Sequence, residues 1–117
     1  MTKKNQNFSM VAGDTMLINI GVTDSNGTPI NLTGCSITWI VKKTVKAPIV
    51  LVTKTTQDDI AIRDVRKGLF VVKLNSQDTA GFDGRMYHEA KVKDAFGDVA
   101  TVATGLITFV PSGAVAT

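Results

Sequence analysis

The sequence holds one cysteine, Cys35, so no internal disulfide can form and no cysteine cluster can hold zinc. A lone thiol is expected to be buried and inert, in keeping with folding in a reducing cytoplasm. His88 is the only histidine, and any Ser-His-Asp or Cys-His triad would have to be built on it. Aromatic residues are scarce, one Trp, one Tyr and five Phe, and too dispersed along the chain to make a platform on which bases stack. Neither sign of charge dominates. Thirteen Lys and Arg against ten Asp and Glu leave +3, small beside a dedicated nucleic-acid binder. The longest purely aliphatic run, Ile49-Val50-Leu51-Val52, is far short of the ~20 residues a membrane helix needs. Residues 1–7 are polar, with Lys3 and Lys4, and no apolar stretch of signal-peptide length follows. Neither export by the usual route nor a bilayer span is expected.

What remains is an ordinary globular composition, 44% hydrophobic and 20% charged over 117 residues, which suits one domain with one core. Its dominant period is two. Met16, Ile18, Ile20 and Val22 alternate with Leu17, Asn19, Gly21 and Thr23, the pattern of a strand with one face on a core. Asp24-Ser25-Asn26-Gly27 breaks it, because Asn-Gly accepts the positive φ of a tight turn. Cys35, Ile37, Trp39 and Val41 form a second inward set, and a third strand is expected over residues 49–55. Ile60 and Ile62 mark a short strand joined through a turn at Gly68 to one with Phe70, Val72 and Leu74 inward. Residues 76–80 suit a single capped helical turn ended by Gly81. Met86, His88, Ala90 and Val92 then share a core face, Asp94-Ala95-Phe96-Gly97-Asp98 turns the chain, and a last strand over residues 99–110 carries Ile107 and Phe109 inward, with Gly105 as a bulge. About seven strands at this spacing, with Trp39 on a central one, predict an all-β, immunoglobulin-like antiparallel sandwich of two sheets, a small barrel being the competing architecture. The expected organisation is an N-terminal arm at residues 1–9, a sandwich at 10–111 and a tail at 112–117. Trp39, Phe70, Val72, Ile18, Ile20, Ile37 and Val92 are its expected core.

Chemistry is thin. The alternation places His88 on the core face, as a structural histidine. Asp58, Asp59 and Asp64 could offer oxygen ligands to calcium, yet their spacing fits no EF-hand loop and solvated turn aspartates account for them. Gly81-Phe82-Asp83-Gly84 lacks the lysine and the strand-to-helix setting of a phosphate loop. Lys3, Lys4, Lys42, Lys43, Lys46 and Lys54 read as solvated faces and a lysine-guarded sheet edge. No catalytic, cofactor-binding or metal-binding residue is assigned. Residues 1–9, and a tail from Val110 onward, are segments that could lie along a neighbouring subunit or complete its sheet.

Four stretches carry a resemblance. Gly13-Asp14-Thr15, then Val22 through Gly34 in the form VTDSNGTPINLTG, and later GLFVVKL at residues 68–74 and GRMYHEAKVKDAFG at residues 84–97, look like the strands and turns of short immunoglobulin-like proteins and domains in tailed-phage virions. These modules are similar to the N-terminal domain of phage baseplate upper proteins, and the resemblance covers residues 10–111. His88 stands where that pattern would have an aromatic residue. The resemblance implies a non-catalytic structural protein, made in the bacterial host cytoplasm and located in the virion. It would assemble on the capsid as a decoration protein, or on the tail or baseplate, through contacts with other virion proteins. It implies a homo-oligomer or many copies per particle, no cofactor, no membrane and no nucleic-acid partner. A carbohydrate- or host-surface-binding module, using Trp39, Tyr87 and the Asp-bearing loops, is the alternative.

Overall fold

A computed structural model describes residues 4–113; Lys3 and the expected tail beyond residue 113 lie outside the described residues. The strands are β1 (Lys4–Asn5), β2 (Phe8–Val11), β3 (Met16–Gly21), β4 (Ser36–Lys42), β5 (Val52–Thr55), β6 (Ile60–Asp64), β7 (Leu69–Leu74), β8 (Gly84–Lys93) and β9 (Val99–Val110), with one short helix, α1 (Ser76–Thr79), between β7 and β8. They form two sheets. One runs β5-β4-β8-β9 with β1 and β2 both on β9, and the other runs β3-β7-β6. In this order β4, β8 and β9 take the places of the C, F and G strands of an immunoglobulin sandwich, and β3, β7 and β6 those of B, E and D.

The core follows from the alternation. Ile18, Ile20, Trp39, Val41, Phe70, Val72, Val92, Ile107 and Phe109 are buried between the sheets, and every residue expected in the core is there. Fully burying a side chain of this size stabilises by about 1.5–3 kcal/mol, which is how a domain with no disulfide holds its layers together. Gly68 permits the β6–β7 hairpin to pack under the β3–β4 connection: its φ is +65°, and a Cβ there would stand 2.6 Å from the Val22 carbonyl oxygen and 2.7 Å from that of Ile30.

Several boundaries differ from the sequence reading. The third strand begins at Val52, not at residue 49. Its partner β4 ends at Lys42, so Ile49, Val50 and Leu51 lie on the exposed approach to the ladder, which Leu51 N–H opens by donating to Val41 O (2.8 Å). The β8–β9 irregularity is at Val102, skipped between the Ala90–Ala103 and Lys91–Thr101 pairs, and Gly105 pairs regularly with His88. Val102 and Ala103 are consecutive and both buried, so the bulge expected at Gly105 lies at Val102 and changes the inward phase there. The helical turn is present, with Asn75 rather than Ser76 as its N-cap, and the Asp78 carboxylate accepts from Asn75 N–H (2.7 Å). Cys35 is only half-buried; burial, then the neighbouring Asp94 carboxylate, push its thiol pKa up.

From Lys4 onward, the segment expected to be a free arm lies in the sheet. β1 and β2 run parallel to β9 with Lys4 opposite Ala103 and Phe8 opposite Ile107. The sandwich is therefore antiparallel except along this edge, and these added strands raise its count above seven.

Candidate functional site

His88 projects from β8 into the core and is fully buried. Trp39 Nε1 lies 3.2 Å from its Nδ1, and its Nε2 lies 2.6 Å from the carbonyl oxygen of Gln6. An indole N–H can only donate and a carbonyl can only accept, so the ring is neutral, with the proton on Nε2 donated to Gln6 O. Phe8 meets the ring edge-on at 5.5 Å between centroids. Desolvation drives the His88 pKa down, and the Gln6 carbonyl only partly opposes it. With both ring nitrogens engaged and, among the described residues, no ion pair to the ring, His88 is placed to join Gln6 to the core rather than to shuttle a proton.

Gly105 makes that join possible. Gln6 and Asn7 bridge β1 and β2 across the ladder, Gln6 N–H donating to Thr104 O (2.8 Å) and Asn7 Oδ1 accepting from Leu106 N–H (2.9 Å). A Cβ on Gly105 would overlap the Gln6 carbonyl and stand 2.9 Å from His88 Nε2.

A second polar centre was not expected. Lys54 sits on edge strand β5 yet is only 4% exposed, and its ammonium lies 2.7 Å from carboxylate oxygens of both Asp59 and Asp78. Asn75 Nδ2 donates to the same Asp59 oxygen (2.8 Å). Burial by itself pulls the Lys54 pKa down, but the hydrogen bonds to Asp59 and Asp78 outweigh it and leave it raised. The Lys54 hydrogen bond holds the Asp59 carboxyl below its ordinary range against desolvation. Asp59 has a left-handed backbone, φ +66°, a conformation Asp accepts more readily than most residues. Lysine as a solvated edge guard is thus corrected at this position. The signal was in the sequence: Lys54 is in phase with Val52, and two aspartates follow within five residues.

The aspartates considered for calcium do not converge. Asp59 is committed to Lys54, and Asp64 Oδ1 accepts from Lys67 N–H (3.1 Å) in the β6–β7 turn. Among the described residues no three His, Cys, Asp or Glu side chains come together as a metal site, and no helix is long and apolar enough to cross a membrane. Trp39 is fully buried, so it is not brought to a surface with Tyr87. Phe82 packs edge-on against Phe109, 5.1 Å between centroids. Phe96 is 92% exposed at the tip of the β8–β9 turn, where Asp94 Oδ1 accepts from Phe96 N–H (2.9 Å) and Asp98 N–H (3.0 Å).

The outer face of the larger sheet mixes polar and apolar side chains. Arg85, Tyr87, Glu89, Lys91 and Lys93 alternate outward along β8, and cross-strand pairing sets Lys42 and Leu106 on either side of Tyr87. The Tyr87 hydroxyl donates to Glu89 Oε1 (2.8 Å); burial first, then this carboxylate, push the phenol pKa up to about 12.

The sequence matches no protein-family model, and no curated protein matches it. The two-layer β-sandwich with its buried His88 and Lys54 centres is what defines the class of this protein.

Proposed function

We propose that the chain is a non-catalytic structural protein of a tailed-phage virion, assembling on the capsid or on the tail or baseplate through protein–protein contacts. The observation that carries this reading is where the reactive groups are spent. The one histidine is locked between an indole and a backbone carbonyl, and the buried lysine is neutralised by two carboxylates. Groups that could do chemistry instead hold the fold, and what faces outward is a sheet face and loop tips, surfaces suited to holding a partner. The turn and strand motifs that resemble immunoglobulin-like virion modules supply the setting, and the sandwich order is consistent with it.

Mass spectrometry of purified virions tests the role. The chain is expected in multiple copies per particle, and its absence from particles made by a host that expresses it would remove the proposal. Cryo-electron microscopy of the same particles distinguishes capsid from tail.

A further inference from the structure

From the end of the larger sheet where β8 begins, we infer that its outer face is a docking groove for an acidic, extended protein segment with alternating aliphatic side chains. The inference rests on the proposed role as an assembly module and names the chemistry of the partner.

An open groove of about 480 Å³ lies over this end, floored by Val45, Tyr87 and Leu106 and flanked by Lys43 and Arg85. Val45 is 57% exposed and Leu106 39%, so the floor is apolar surface left to solvent. A second depression, about 380 Å³, continues on the far side of Arg85 and Leu106 to Phe8 and Ser9 of β2. The two share Arg85 and Leu106 and together run from the turn after β4 across β8 and β9 to β2. At ~4.8 Å between strands this trough is ~14 Å long, the span of about four or five extended residues.

Charge sets the occupant. Lys43 and Arg85 line the trough and Lys42 stands opposite Tyr87 beside it, and among the described residues neither Lys43 nor Arg85 forms an ion pair. Among the described residues Glu89 is the carboxylate that β8 presents on this face, and it is engaged by the Tyr87 hydroxyl and by Lys91. A cationic rim over an aliphatic floor matches a segment that puts alternate apolar residues down and carboxylates at the sides. Nucleic acid fits less well, because the floor offers no freely exposed aromatic ring, and Phe96 lies at the opposite end of β8, ~30 Å along the strand.

Isotope-labelled full chain titrated with the capped peptide Glu-Leu-Glu-Leu-Glu at low salt tests this. Amide resonances of Val45, Arg85, Tyr87 and Leu106 should shift, and affinity should exceed that for Lys-Leu-Lys-Leu-Lys by about ten-fold or more. Replacing both leucines of the peptide by serine, or Leu106→Ser in the protein, should weaken binding about three-fold or more. Arg85→Glu should weaken it about ten-fold, while Arg66→Glu, the same charge change in the β6–β7 turn, should leave it within about two-fold. Thermal unfolding confirms that each variant folds, since the exchanged charges are exposed. Shifts elsewhere, equal loss from Arg66→Glu, or indifference to serine would overturn the groove. So would tighter binding of a ten-nucleotide oligothymidylate at the same amides, which would assign the face to nucleic acid. Absence of the chain from virions bears on its proposed role alone; an inert groove bears on this surface alone.

Discussion

The indole N–H of Trp39 on β4 donates to His88 Nδ1 on β8 across 3.2 Å, inside a core that has no disulfide to join its sheets. The donor fixes the tautomer of the acceptor. With Nδ1 held as an acceptor, the single ring proton must sit on Nε2, and there it reaches Gln6 O at 2.6 Å. A central strand, its neighbour and the N-terminal edge of the same sheet are thereby tied through one ring.

That arrangement makes the fold sensitive to mild acid. Adding a proton at Nδ1 would set two donors, Trp39 N–H and His88 N–H, against each other in a desolvated site. The folded-state pKa of His88 lies below the ordinary 6.5, burial being the main cause. The unfolded chain therefore binds the proton first as pH falls. The stability this ring contributes is complete above 6.5 and is lost as pH falls from there through the lower folded value. Urea unfolding should give lower stability at pH 5.5 than at pH 7.5. His88→Phe should be destabilised at both, by about 1–3 kcal/mol for the unpaired Trp39 N–H and Gln6 carbonyl, but should show a flatter profile between them. An equal slope in the variant would refute the assignment to His88.

Gly105 is expected to control whether the N-terminal strand stays docked. A Cβ at this position overlaps the Gln6 carbonyl, which is backbone and cannot swing aside. Gly105→Ala should therefore release residues 4–7 from β9 at a cost of roughly 1–3 kcal/mol. Hydrogen exchange locates the effect: the Gln6 amide, which donates to Thr104 O, should exchange much faster, while Trp39 and Val92 amides in the central strands keep their protection. Uniform acceleration throughout the domain would mean that the strand is not separately latched.

How far the sequence revealed this differs by feature. Alternation placed His88 inward and found Trp39, Phe70 and Val72 in the core, because a period of two is a local property set by the pleat. It could not reveal the partners of His88, since Gln6 and Trp39 are 82 and 49 residues away, and Gly105 looked like a bulge because a missing side chain reads the same in either role. The strand expected at Ile49 failed because β-branched residues signal strand propensity whether or not a partner strand extends far enough to pair with them. Residues 4–11 carry too short an alternating run to be told from a loose arm, and their place depends on an edge of β9 supplied from the other end of the chain. The exposed groove was invisible for the same reason: Val45, Arg85 and Leu106 meet only through sheet pairing.

The Lys54 centre gives an ordering of variants rather than a single value. Removing the acids strands a cation whose side chain is only 5% exposed; removing the cation leaves carboxylates that are 26% and 22% exposed and still reach water. Uncompensated buried charge is the costlier state, about 3–5 kcal/mol when one side of a buried pair is deleted. The double change Asp59→Asn with Asp78→Asn should thus destabilise more than Lys54→Met, which fills the same volume with apolar atoms and should cost about 1–2 kcal/mol. The pH dependence follows from the same contacts. The Asp59 pKa lies below the ordinary 3.8, so its contribution is present above that value and disappears as pH falls through the lower folded one. Lys54 lies above 10.5, so its contribution is present below that value and disappears as pH rises through the raised one. The cluster is thereby intact throughout the neutral range, and Lys54→Met should lose its disadvantage progressively as pH falls from 3.8 through the lower folded value of Asp59. Denaturant unfolding of the three proteins at pH 7 and at a descending series of pH values from 4 measures both the ordering and its decline; a Lys54→Met variant less stable than the double asparagine variant at pH 7 would show that the lysine, not its burial, dominates the centre.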